Sequence, residues 1–206
     1  MKILEKMFGS AGKVKIMRLF LFNPKRVYEQ SEVSDRAKVN PKSAKKDIVL
    51  LEKMGLLKKK VGFKLVPAKS KRNKGKMSQK KFMGWILNES FAYLIPLQNL
   101  LINLSTIKDE YIIEQIQSSG KVKLIVLAGI FIQDPGSRVD ILVVGDKLKK
   151  KKLSATMKSL EAEIGKELRY GAFETTDFKY RMDMYDKLVR DILDYPHKKI
   201  LNKMAM

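Results

Sequence analysis

Residues 40–66 run NPKSAKKDIVLLEKMGLLKKKVGFKLV, and their reading decides the fold of the first part of the chain. Asn40-Pro41 resets the backbone: Asn supplies an N-cap oxygen, and Pro takes the first helical position, where an N–H would have no partner anyway. From Pro41 onward Ala44, Ile48, Leu51 and Met54 recur at helical spacing, and Gly55 stands where a helix C-cap is wanted. Leu56-Leu57 then leads into Lys58, Lys59 and Lys60, a tight Val61-Gly62 turn, and Phe63 to Val66, which predicts a small β-hairpin. Upstream, Lys13 to Phe22 has a broad apolar stripe and stops before Asn23-Pro24, so it reads as a helix. Ser31 is placed to cap a short second helix running through Val39.

Helix, short helix, longer helix and hairpin follow the order of a winged helix-turn-helix. The helix exit Leu51-Glu52-Lys53-Met54-Gly55-Leu56-Leu57 resembles that of ArsR-like and related bacterial winged-helix regulators. The resemblance implies double-stranded DNA as partner and transcription regulation as role. The residues support the same expectation independently. Lys42, Ser43, Lys45 and Lys46 lie on the first turns of the third helix, off the Ala44/Ile48/Leu51 stripe, where they suit the major groove. Lys58, Lys59, Lys60 and Lys64 suit phosphate contacts from the wing. Any one of these lysines alone is ordinary solvated charge; the argument rests on the set.

Charge distribution sharpens it. The 206 residues carry a formal net charge of +21, and the part up to Lys81 holds 24 Lys and Arg against 6 Asp and Glu, or +18. A domain so basic repels itself unless a polyanion relieves it, and nucleic acid or an anionic membrane surface would do so. Residues 67–77, PAKSKRNKGKM, read as a basic tether following the phosphate backbone. The absence of Cys excludes disulfides, zinc–thiolate and iron–sulfur sites and thiol catalysis, and the single His197 excludes a His-built metal site. The run Phe91–Leu104 is too short and too polar to span a bilayer, and the first residues lack a secretory pattern, so a cytoplasmic protein without a membrane partner is expected. Gly9-Ser10-Ala11-Gly12-Lys13 only superficially resembles a phosphate loop, because Met7 and Val14 stand where Gly and Ser or Thr are required.

Beyond the basic part, Phe82 to Tyr93 and the stripes Leu97, Leu100, Leu101, Leu104 and Tyr111, Ile112, Ile113, Ile116 predict a helical connector. It is expected to pack on the C-terminal domain, with a homodimer seam as the alternative. Val122–Ala128 and Val139–Val144 read as buried strands, Leu148–Ile164 as a helix, Leu168–Phe173 as a third strand, and Thr176 to Leu193 as a final helix. The fold class expected is therefore α+β, divided into a winged helix at 1–67, a basic linker at 68–81, a helical connector at 82–117 and a small α/β domain at 118–206.

That last domain resembles minimal nucleotidyltransferases of the DNA-polymerase-β superfamily, in which a strand ending in Gly-Ser precedes a strand bearing Asp-x-Asp and closing on Gly-Asp. The matching residues are Gly129-Ile130 and Ser137-Arg138-Val139-Asp140-Ile141-Leu142-Val143-Val144-Gly145-Asp146, within a resemblance covering about Pro96 to Lys203. It implies a nucleotide substrate and paired magnesium ions held by two carboxylates that face the same way on one strand. Here Arg138 replaces the first carboxylate, leaving Asp140 alone and expected to pair with Arg138; Ile130 replaces the Ser, and neither Glu167 nor Glu174 fits a third ligand. Gly129, Arg138 and Asp140 are thus expected to form a degenerate site, with no cofactor, in a domain kept for sensing or assembly that binds a nucleotide, another anion or a partner protein. Lys149–Lys152 reads as a solvated face, His197 as a helix-end residue, and Tyr170, Tyr180 and Tyr185 as packing residues. The leading expectation is a DNA-binding transcriptional regulator. The alternatives are an active, magnesium-dependent nucleotidyltransferase acting on a protein or RNA, and an antitoxin-like protein-binding module.

Overall fold

The protein is described by a computed structural model covering residues 2–67, 77–102, 107–134 and 136–204. It is a mixed α+β chain that divides into two compact units, one formed by Met1–Ile102 with Ala162–Lys166, the other by Asn103–Glu161 with Glu167–Met206.

In the first unit, helices α1 (Lys2–Phe8), α2 (Ala11–Phe22), α3 (Gln30–Ala37) and α4 (Pro41–Lys53) precede strands β1 (Leu57–Pro67) and β2 (Met77–Leu87) and helix α5 (Leu94–Leu101). Helix α2 starts because Ser10 Oγ accepts from the Lys13 amide at 3.0 Å. Helix α4 starts as its residues predict: Asn40 Oδ1 accepts from the Lys42 amide at 2.9 Å with Pro41 at the first helical position. Its buried stripe Ala44, Ile48 and Leu51 joins Val14, Ile16, Phe20, Tyr28, Val33 and Leu57 in one core.

Several expectations are corrected here. Helix α1 had no counterpart in the sequence reading, and α3 is preceded by Glu29 as N-cap rather than by Ser31. Val61-Gly62 is not a turn. β1 runs unbroken through it and pairs antiparallel with β2 from Leu57↔Leu87 to Pro67↔Met77. Gly62 is needed because the Phe82 ring, its cross-strand partner, lies 2.4 Å from where a Cβ would stand. Residues 77–81 of the expected linker and 82–87 of the expected helical connector are therefore strand, as suits a run with Phe82, Trp85 and Ile86 facing a partner strand. The remaining linker residues 68–76 and Leu104 lie outside the described residues. Helix α5 of the expected connector buries Leu101 in the core of this first unit, with Leu94 and Leu97 against it, where packing on the C-terminal domain was expected.

The second unit contains helix α6 (Asp109–Gln117), strand β3 (Lys121–Leu127), a 3-10 turn (Gly129–Phe131), strand β4 (Ile141–Asp146), helix α7 (Lys150–Ile164, whose last residues belong to the first unit), strand β5 (Tyr170–Glu174), helices α8 (Thr175–Asp183) and α9 (Lys187–Leu193), and strand β6 (Lys198–Asn202). The sheet order is β5-β4-β3-β6, with β4 and β5 parallel across the α7 connection and β3 antiparallel to both neighbours. Leu124, Val126, Leu142 and Val144 pack under Phe178, Val189 and Ile192, while the alternate residues Ile125, Leu127, Ile141 and Val143 are equally buried. Both faces of β3 and β4 are thus covered, which is why these strands read as continuous apolar runs. The single helix expected from Thr176 to Leu193 is two. Tyr185 has φ of 55°, and Asp186 then accepts from the Leu188 and Val189 amides to start α9 afresh. Strand β6 was not foreseen, its lysine-rich KKILN offering one short apolar pair.

Candidate nucleic-acid interface

On α4 the residues pointing away from the core fall into one stripe: Lys42, Lys45, Lys46, Val49 and Lys53 recur at steps of three and four, and all are exposed. Ser43 is exposed too but sits on the flank of the helix, beside Leu50 and Met54. Val49 and Lys53 were missed by the sequence reading, which stopped at the first two turns. Their spacing of seven and eleven residues from Lys42 was the available signal. Among the described residues, none of the four lysines of the stripe makes an ion pair. Asp47, beside the stripe, has its carboxyl pushed above the usual range by burial, an effect opposed by Lys13 and Lys46.

The β1–β2 ribbon is pinned to the end of α4. The Asn88 amide donates to Leu56 O at 2.8 Å and its side chain to Gly55 O at 2.8 Å. Trp85 Nε1 donates to Glu52 Oε2 at 2.8 Å, and Lys59 Nζ pairs with Glu52 Oε1 at 3.3 Å. The Glu52 carboxyl is held below its ordinary range, first by the indole hydrogen bond and then by Lys59, against a partial burial that works the other way. Lys59 and Trp85 are direct cross-strand partners, so the face they share is the ribbon face turned to α4. By strand alternation that face also carries Val61, Phe63 and Leu65 on β1, and Met77, Lys81 and Met83 on β2.

This divides the predicted wing lysines. Lys59 is on the α4 side but already paired with Glu52, whereas Lys58, Lys60 and Lys64 are on the opposite face. Lys64 is bound to Glu29 and lies 5.5 Å from the Phe82 ring centroid. The ribbon and its connection, residues 57–87, nevertheless hold eleven Lys and Arg and no Asp or Glu. The structure therefore brings the α4 lysines together, keeps Lys58 and Lys60 exposed nearby, and assigns Lys59 and Lys64 internal partners as well.

In the second unit, Asp140 is only 1% exposed and its carboxylate is fully engaged. Oδ1 accepts from the Ile130 amide at 3.1 Å, Oδ2 accepts from the Arg169 amide at 2.8 Å, and the Arg169 guanidinium lies 3.4 Å from both oxygens. Gly129, at φ of 54°, leaves room for this: a Cβ there would stand 2.2 Å from Asp140 Oδ1. The expected Arg138–Asp140 pair is not formed. Successive strand positions alternate, yet Arg138 lies before β4 begins, and its Nε instead meets Asp191 Oδ2 of α9 at 2.6 Å. These two residues, with Asp134, Ser137, Lys187 and Tyr195, line a cavity of about 470 Å³ whose charges balance. Asp146 pairs with Lys123 at 2.8 Å, and its carboxyl is held down by that bond and by Thr175. Glu174 accepts from the Lys147 and Leu148 amides.

These residues do not fit a pair of magnesium ions, because the Asp140 carboxylate accepts from two backbone amides and faces a guanidinium. Among the described residues no group of three or more His, Asp or Glu is arranged to hold a metal ion. Tyr170, Tyr180 and Tyr185 are exposed rather than packed, and His197 Nδ1 lies 2.8 Å from Tyr195 O. No helix among the described residues is long and apolar enough to cross a membrane. No family model matches the chain, and no match was found among curated proteins or solved structures.

Proposed function

We propose that the first unit is a winged helix-turn-helix that binds double-stranded DNA, and that the protein is a transcriptional regulator. The observation carrying this reading is the α4 stripe of Lys42, Lys45, Lys46 and Lys53, free of ion pairs among the described residues and set beside an acid-free basic ribbon. A helix of 13 residues standing clear of its core along one face has the dimensions of a major-groove reader. Lysines there gain little from the protein itself and gain most when phosphates replace their counterions. The second unit is read as a nucleotidyltransferase-like domain without catalysis, retained for sensing or assembly. What supports that is the engagement of both Asp140 oxygens by the protein's own donors.

The test is a salt-titrated binding assay on genomic duplex fragments. Wild-type affinity should fall with a log–log slope of about −0.9 per phosphate contacted. The Lys42/Lys45/Lys46→Ala variant should lower the magnitude of that slope by about 3. A flat salt dependence, or a slope unchanged in the variant, would refute the DNA reading.

A further inference from the structure

We infer that the α4-facing side of the β1–β2 ribbon is an apolar contact surface for the same nucleic acid, with Phe63 and Leu65 lying against bases and sugars in the groove next to the one α4 occupies. This rests on the DNA reading of the α4 stripe and adds to it a contact that is not electrostatic.

Four large apolar residues stand open on this one face: Phe63 at 64% exposure, Leu65 at 63%, Met77 at 58% and Met83 at 59%. A two-stranded ribbon has no reason of its own to expose them together, since polar residues at solvent-facing positions would serve it equally well. The exposed positions of the opposite face are polar, Lys58, Lys60, Ser78 and Lys80, with Lys64 bound to Glu29 and the Phe82 ring over Gly62. The apolar side therefore awaits something external.

Two features select the occupant. First, this is the face whose root touches α4 through Glu52, so whatever lies along the α4 lysines meets it next. Second, residues 57–87 carry no carboxylate and Lys81 stands on the face itself opposite Phe63, while Glu29 and Glu32, which share a cavity with Val61 and Phe63, are paired with Lys64 and with Arg26 and Arg36. The partner must be polyanionic at its rim and apolar in its interior. A duplex groove has both properties, phosphates outside and base and sugar surfaces within. Phe, Leu and Met are among the side chains that wedge against base steps and partly unstack them.

The contact has a signature separate from that of the lysines, because an apolar surface releases no counterions. Phe63→Ser and Leu65→Ser, made separately, should each weaken duplex binding about tenfold while leaving the salt slope of the wild type unchanged. Phe63→Leu, which keeps the apolar surface, should retain most of the affinity. A fluorescent adenine analogue in the bound fragment should brighten on binding wild type, through unstacking, and stay dim with Phe63→Ser. Both positions are open to solvent in the free protein, so the thermal transitions of the variants should match that of wild type. The same proteins would be mixed with vesicles of phosphatidylserine and phosphatidylcholine.

Serine variants that bind duplex as tightly as wild type would overturn the inference while leaving the lysine reading standing. Loss of the salt slope in the wild type itself would remove the DNA reading, and the inference with it. Vesicle binding that exceeds duplex binding and depends on Phe63 would make a lipid surface the occupant and overturn the inference.

Discussion

Replacing Asp140 by Ala should unfold the second unit more readily, and the size of the effect separates a scaffold carboxylate from a catalytic one. In the folded chain the Ile130 and Arg169 amides both donate to this side chain, at 3.1 and 2.8 Å, and the residue is 1% exposed. Truncation leaves both donors without an acceptor where water has little access, and each orphaned buried group costs about 1–3 kcal/mol. The long 3.4 Å contacts with the half-exposed Arg169 guanidinium add little. The sum is about 3 kcal/mol, enough to lower a transition temperature by roughly 10 °C. Arg169→Met removes only the guanidinium and keeps the amide bond, so it should cost under about 1 kcal/mol. Urea denaturation followed by circular dichroism gives both values, and amide exchange at Ile130 and Arg169 locates the damage. An Asp140→Ala protein within about 0.5 kcal/mol of wild type, or more stable, would refute the scaffold role, since residues kept for chemistry are often removed at no cost or with a gain in stability.

Two further outcomes follow from charges in the first unit. Glu52 has its carboxyl held down by Trp85 and Lys59, so it binds a proton less readily folded than unfolded. The stability it lends is complete above its unfolded value of about 4.3 and is lost as pH falls through the lower folded value. Glu52→Gln should therefore cost about 1 kcal/mol near neutrality and make the Trp85 fluorescence transition less acid-sensitive; equal acid sensitivity would count against the bond. Arg18 is fully buried, donating to Leu101 O at 2.8 Å and Glu163 O at 3.0 Å, and burial pushes its pKa down against the pull of Glu163. Arg18→Ala should cost about 3 kcal/mol by leaving carbonyls unpaired beside a cavity, and Arg18→Met, which fills the space, should cost less; identical losses in urea melts would show that packing plays no part.

What the sequence made legible was local and periodic. The Asn40-Pro41 start of α4 and its Ala44/Ile48/Leu51 stripe needed nothing beyond neighbouring residues, and the two buried strands declared themselves as apolar runs. The ribbon was misread because its pairing joins Leu57 to Leu87 across thirty residues, and a glycine beside a valine looks like a turn until the opposing Phe82 is known. The same gap hid which lysines share a face, since that depends on register. Nothing local marks Arg18 as buried, since the carbonyls it donates to belong to Leu101 and Glu163, both distant in the chain. Arg138 and Asp140 look like neighbours on one strand face, but Asp191 and Arg169 take their charges from elsewhere in the fold.

That exchange of partners bears on the proposal that the second unit is a nucleotidyltransferase-like domain without catalysis. Two carboxylates serve two metal ions only while their oxygens keep lone pairs directed into open space. Under that proposal Arg138 stands where one ligand would be needed, yet the engagement of Asp140 matters more. Its oxygens tie the Gly129 turn to the start of β5, and the neighbouring Arg169 cation would repel an incoming dication. Arg138→Asp alone would thus supply one carboxylate without freeing the other. The two amide hydrogen bonds give Asp140 a part in the fold that is independent of any chemistry, just before β4 begins.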